Sequence, residues 1–162
     1  MSAPSSELYR ERLTPSAGMH VISLVVGGSA FFVALPFTGE MPALATGLVV
    51  AVAVSLLLVR SSPVVSVVRG GDPADGGAPG APRLRAGGAV IPVEVLGAPA
   101  VLDDDGLRRA LGTEADARAY VVHRGWVHGA VRLPVEDPRD ATPYWLICTR
   151  RPAQLVAALG RR

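Results

Sequence analysis

The sequence predicts an α+β membrane protein, with a helical hairpin ahead of a small β-rich domain that ends in one helix. Three observations carry this. Residues 19–36 and 41–59 are apolar runs of 18 and 19 residues without Asp, Glu, Lys or Arg. After Arg60 the chain turns to short β-branched runs broken by Gly and Pro. Residues 152–160 return to helical spacing, with Pro152 first, Leu155, Val156 and Leu159 as the apolar stripe, and Gly160 last.

A helix rises about 1.5 Å per residue, so each apolar run matches the hydrocarbon core of a bilayer. The link at residues 37–40 contains Gly39 and Glu40 and is followed by Pro42, which suits a tight turn between antiparallel helices. A secretory signal peptide is the competing reading of residues 19–36. The run is longer than a usual apolar signal core, and a second spanning run follows within five residues. Arg10 and Arg12 precede the first run and Arg60 and Arg69 follow the second, while the turn carries only Glu40. The positive-inside rule then places both termini in the cytoplasm of a multi-pass protein of the cell membrane. Gly27, Gly28, Ser29 and Ala30 in one run, and Ala43, Ala45, Gly47 and Ala51 in the other, are small enough for close helix approach. The runs hold no acidic or basic residue except His20 at one boundary, which lowers the case for a pump or channel.

The domain boundaries expected are 1–18 for an N-terminal cytoplasmic segment, 19–59 for the transmembrane hairpin and 60–162 for the cytoplasmic β-rich domain. Tyr9 and Leu13 give the first segment an amphipathic character that suits the membrane surface, against a plain disordered tail. Residues 64–68 read as a strand, and residues 70–82 as a turn-rich segment. Residues 83–91 read as a hairpin about Gly87-Gly88. Residues 92–96 and 98–102 read as strands with a bulge at Gly97. Asp103, Asp104 and Asp105 open a helix over 106–111, where a carboxylate accepts from free backbone N–H groups. Strands follow at 120–123, 130–136 and 144–149. Six or seven short strands with a C-terminal helix resemble the pleckstrin-homology-like superfold, a β-barrel or half-barrel capped by that helix. A fold-level analogy of this kind transfers no function.

Composition excludes several classes. Of 162 residues 49% are hydrophobic, and the mean hydropathy is +0.35, high for a soluble chain. All 16 basic residues are Arg, the bland signature of a GC-rich genome. A net charge of +2 gives no basis for nucleic-acid binding. The single Cys148 excludes an internal disulfide and a cysteine metal cage.

Three stretches carry a family resemblance. They are Tyr9-Arg10-Glu11-Arg12-Leu13, then Val101-Leu102-Asp103 with Arg109-Ala110-Leu111-Gly112, and the run YVVHRGWVHGAVRLPVEDPRDATPYWLICTRRP from Tyr120 to Pro152. Together they resemble the bacterial membrane family catalogued as domain of unknown function 3093. Gly125 and His128 depart from that pattern, which has Pro and a basic residue there. The resemblance implies architecture and a membrane location, and no activity.

Among candidate sites, Arg124, Trp126, Arg132, Arg150 and Arg151, with Tyr144, form a basic and aromatic set suited to an anionic partner. Arginine forks fit carboxylate or phosphate, and Trp anchors interfaces. Against this stands a structural set: Arg132 paired with a carboxylate, and Trp126 and Trp145 in the core. His123, His128 and Cys148 are the soft ligands of this part. A spacing of five between the two His, with a turn between them, argues against a metal cage. Cys148 with His123 is a conceivable nucleophile pair, but its place in an apolar strand favours a core residue. Asp103-Asp104-Asp105-Gly106 opens like a calcium loop without its later ligands. Gly70-Gly71, Gly76-Gly77 and Gly87-Gly88 lack the setting of a phosphate loop and read as turns.

The expected function is a non-enzymatic membrane protein, without cofactor or metal. It presents a cytoplasmic interaction or scaffold domain, and its partners are the lipid bilayer and anionic lipid or another membrane protein. Two other readings are an accessory subunit of a transporter or envelope-assembly enzyme bound through the hairpin, and a small Cys/His hydrolase.

Overall fold

A computed structural model describes residues 6–70 and 80–160. The expected turns at Gly70-Gly71 and Gly76-Gly77 fall wholly or partly on residues 71–79, outside the described residues. The chain forms two compact units. One contains residues 14–62; the other joins residues 6–13 to 63–160.

In the first unit, α1 spans Ala17–Thr38 and α2 spans Glu40–Arg60. Gly39 alone separates them, at φ 79°, a conformation that costs glycine little. Its N–H donates to the Leu35 carbonyl at 3.2 Å and its carbonyl accepts from Ala43. Of the small residues named from the sequence, Gly27, Ala43, Gly47 and Ala51 are buried, and Gly28, Ser29, Ala30 and Ala45 are not. Ser23 of α1 is buried as well. A Cβ added to Gly27 would stand 2.6 Å from the Gly47 carbonyl oxygen; one added to Gly47 would stand 2.8 Å from that of Gly27. The two backbones are therefore in contact, and any side chain there would part them. His20 Nδ1 lies 3.4 Å from Ser55 Oγ across the pair. Both helices are long and apolar enough to cross a membrane, with hydropathy 2.0 and 2.4 and only 11% of each apolar window buried.

The second unit holds eight strands in two sheets. β1 (Ser6–Arg12), β2 (Val64–Arg69), β3 (Pro82–Ala86) and β4 (Ala89–Pro92) pair antiparallel in that order. Tyr9, Glu11 and Leu13 turn inward with Val65, Val67, Leu84, Ala86 and Ile91. The other sheet has the order β5-β7-β8-β6: β5 (Ala100–Leu102), β7 (Ala130–Pro134), β8 (Tyr144–Cys148) and β6 (Tyr120–Val122). Only β6 and β8 are parallel. Every residue of β8 is buried, so both faces of this strand are covered. The Tyr120 hydroxyl donates to the Ala86 carbonyl at 2.9 Å and ties the sheets together. Helix α3 (Asp104–Leu111) is capped by Asp103, whose Oδ1 accepts from the Gly106 N–H at 2.8 Å. Helix α4 (Pro152–Gly160) lays Leu155, Ala158 and Leu159 into the core and packs on β1, β2 and β7.

Several expectations change. Residues 6–12 of the N-terminal segment are a strand of the β unit and not a loose tail. The unit boundaries accordingly fall at Leu13/Thr14 and Ser62/Pro63 and not at 18/19 and 59/60. The strands do not close a barrel. β4 ends at Pro92, which has no N–H to extend a ladder, and Val93–Val95 wind into a 3-10 turn that buries Val93 and Leu96. That turn replaces the strand expected over 92–96. Gly97 is no bulge: its N–H donates to the Pro134 carbonyl at 2.9 Å, beside the end of β7.

Candidate functional site

The densest polar constellation lies where β1, the end of β8 and the start of α4 meet. Alternation along β1 directs Tyr9 and Glu11 inward. Glu11 is 9% exposed, so its carboxylate needs donors, and the chain supplies three. The Tyr9 hydroxyl donates to Oε2 at 2.6 Å, the Thr149 hydroxyl to Oε2 at 2.5 Å and the Arg150 N–H to Oε1 at 3.1 Å. Tyr9 and Thr149 oxygens are 2.9 Å apart, and the Arg151 N–H donates to Thr149 Oγ1 at 2.9 Å. Burial and the Glu11 carboxylate push the Tyr9 hydroxyl up to about 12, partly opposed by Thr149 and the Arg151 charge. Glu11 thus pins the Thr149–Arg151 segment that leads into α4.

The loop between β6 and β7 joins this region. Val127 N–H closes a turn on the Arg124 carbonyl, and Trp126 Nε1 donates to the Leu13 carbonyl at 3.2 Å. The Leu13 N–H donates to the Pro63 carbonyl at 3.0 Å, so the chain leaves the β unit and returns to it at adjoining points. Arg124 is half-buried with Nη1 on the His123 carbonyl, and the Arg150 and Arg151 side chains are exposed.

Of the five residues singled out from the sequence, three make contacts at Leu13, Glu11 and Thr149: Trp126 through its indole N–H, and Arg150 and Arg151 through their backbone N–H groups. Arg124 lies two residues before Trp126 in the same loop, and Arg132 lies elsewhere. The register sets it opposite Leu146, four positions before Arg150, or roughly 13 Å along the strand. Its guanidinium lies 4.0 Å from the centre of the Tyr144 ring. Trp145 is a core residue, against Tyr120 at 4.4 Å between ring centres, and Trp126 is half-buried at the strand root.

The other candidates are placed as follows. Cys148 is fully buried and burial raises its thiol pKa, the wrong direction for a nucleophile. His123 makes no hydrogen bond to it. His128 is exposed, with Nδ1 3.3 Å from Asp104 Oδ1. Among the described residues no three His, Cys, Asp or Glu side chains gather as ligands would. Asp103 is a helix cap, and Asp105 pairs with Arg108 at 3.2 Å.

Sequence reasoning missed Glu11 and Thr149. One signal was present: in Tyr9-Arg10-Glu11-Arg12-Leu13 the acid occupies the inward position between two inward hydrophobes.

The architecture defines an α+β protein whose apolar helical hairpin is inserted between the first two strands of a two-sheet unit. The chain belongs to the family described as Protein of unknown function (DUF3093), which matches residues 8–159. No curated protein and no solved structure matches it.

Proposed function

We propose that this chain is a non-enzymatic integral membrane protein. The hairpin anchors it in the bilayer, and the β unit is a cytoplasmic interaction module whose rim contacts anionic lipid headgroups. The observation that carries the reading is the apolar coat of the hairpin. Of the exposed large hydrophobic side chains, all but Val101, Leu111 and Val121 belong to α1 and α2. Water would penalise that surface at about 25 cal/mol per Å², and lipid removes the penalty. The rim is Arg124, Trp126, Arg150 and Arg151. Trp126 donates to the Leu13 carbonyl, four residues from the first apolar helix, and the Arg150 backbone N–H donates to Glu11. Arg beside a Trp at the root of a span suits the headgroup region, at about 1 kcal/mol per Arg. The helix-capped strands support the pleckstrin-homology-like kinship as part of this proposal.

Two measurements test it. In a Cys148→Ser chain carrying Thr38→Cys, an impermeant maleimide should label right-side-out vesicles and spare sealed inverted ones. Labelling from the inside only removes the cytoplasmic placement of the β unit, and a full chain that dissolves as a monomer without detergent removes the anchor. Gln at Arg124, Arg150 and Arg151 should deplete co-purified anionic phospholipid, each about fivefold. Unchanged lipid content removes the rim but leaves the anchor standing.

A second reading, the accessory subunit, has one observation in its favour. Gly28 meets open space in an apolar groove with Leu24, Phe31, Leu44 and Leu48. Gly47 and Ala51 cannot test it, because they hold α1 against α2. Gly28→Leu can: loss of a stably co-purifying membrane protein would favour this reading, and an unaltered complement would remove it.

A further inference from the structure

Arg132 stands on the β7–β8 face shared by Ala130, Leu146 and Cys148, a poor place for a charge without a counter-ion. It is half-buried, and its one described interaction is the stacking on Tyr144. Tyr144 is itself fixed. Its hydroxyl accepts from the Asp116 N–H at 3.2 Å and lies 3.4 Å from the Glu114 carbonyl, to which it donates. Beside the pair opens a cleft of about 600 Å³, walled by Thr113, Glu114, Asp116, Pro134 and Pro143. The two acids of that wall already have cations: Glu114 has Arg109 at 3.5 Å, and Asp116 has Arg118 at 2.8 Å. The remaining unbalanced charge of the cleft is the Arg132 guanidinium.

We propose that this cleft binds a carboxylate, with Arg132 as the fork and Tyr144 as its shelf. A guanidinium flat on a ring keeps its N–H edge free in the ring plane, where two parallel donors match a planar carboxylate. One cation flanked by two acids fits a monoanion; a phosphate dianion would need a second cation. The rings of Pro134, Pro143 and Tyr144 offer a flat apolar body a surface. The site stands apart from the Arg124–Trp126 rim and does not depend on a bilayer.

The test uses the full chain in detergent micelles and follows the Arg132 Nε–H resonance, assigned by its loss in Arg132→Lys. The probes are benzoate and its neutral isostere benzamide, at matched ionic strength. Benzoate should shift the resonance saturably with Kd of order 1 mM, and benzamide should not. The signal of the Asp116 N–H, which donates to the Tyr144 hydroxyl, serves as the second readout. Followed there, Arg132→Lys, with its dispersion and melting point intact, should weaken benzoate about tenfold. A peptide with a free C-terminal carboxylate, compared with its amide, separates the sources. Tighter binding than benzoate by the free form only marks a peptide terminus; no gain marks a small carboxylate. Equal responses to benzoate and benzamide, or Arg132→Lys binding benzoate as the parent does, would overturn the site.

Discussion

Glu11 collects the hydroxyls of Tyr9 and Thr149 and the Arg150 N–H on one carboxylate. Glu11→Ala strands three donors, of which each buried one costs about 1–3 kcal/mol. We expect chemical unfolding to show a loss of at least about 3 kcal/mol. Exposed Glu7→Ala, whose partner Arg10 sits at 3.6 Å, should change little. Tyr9 adds a pH dependence of known sign. Its folded pKa, pushed up to about 12, exceeds the ordinary 10.0, so the folded chain holds a proton that the unfolded chain has released. The stabilisation is complete below pH 10 and drains away up to pH 12, by about 2–3 kcal/mol. Tyr9→Phe should flatten that alkaline slope in urea midpoints while costing stability at neutral pH; an undiminished slope would reassign it to another group. At this scale the sequence was half legible. Trp126, Arg150 and Arg151 come to one neighbourhood through an indole and two backbone N–H groups. Arg132 does not, because spacing along one strand says nothing of which end of the sheet a neighbour occupies. Glu11 was not singled out, because an inward acid looks like any other until its donors, 138 and 139 residues away in sequence, are known.

Periodicity is read best in elements that satisfy their own hydrogen bonds. The two apolar helices and the Asp103-capped α3 followed from local signals: length, uncharged runs, a carboxylate before a free N–H. Elements that depend on partners were harder. β1 has only Tyr9 and Leu13 as inward hydrophobes, with Glu11 between, and its partner β2 lies beyond two helices. Residues 92–96 alternate well enough for a strand, yet Val93 and Leu96 are buried at a spacing of three, the period of a 3-10 turn. The hairpin gives a clean prediction at this scale. Gly47→Val puts methyls against the Gly27 carbonyl and should cost about 1–3 kcal/mol through forced separation. Gly28→Val, whose Cβ meets open space, is the control and should cost nothing, because Val is no worse a helix former than Gly. Pulsed distance measurements between labels at the exposed positions Val33 and Leu44 should widen in the first variant alone. Equal distances in both would mean the glycine contact does not set the helix spacing.

At the scale of the whole molecule, the hairpin is an insertion and not a leading anchor. β1 precedes α1, β2 follows α2, and the two strands pair from Ser6↔Arg69 to Arg12↔Val64. The β unit therefore cannot fold from the sequence after the helices alone. A shortened chain of residues 60–162 loses the burial of Tyr9 and Leu13, each worth about 1.5–3 kcal/mol. It also uncovers the edge of β2 and removes the Glu11 acceptor from Thr149 and Arg150. Against a typical domain stability of about 5–15 kcal/mol, that sum is enough to unfold a unit of this size. We expect residues 60–162 to give collapsed amide dispersion and no cooperative melt. Joining residues 6–13 to 63–160 through a short Gly/Ser link restores β1 without the apolar helices. That chain should be soluble, melt cooperatively and show the Trp126 indole N–H still protected by the Leu13 carbonyl. If residues 60–162 alone melted as sharply as the joined chain, β1 would be an ornament of the sheet. The two links that leave the unit at Leu13 and return at Pro63 would then carry no fold information. The opposite outcome makes the coupling physical: the β1–β2 ladder and the Leu13–Pro63 bond hold the points where the chain leaves the β unit and returns to it.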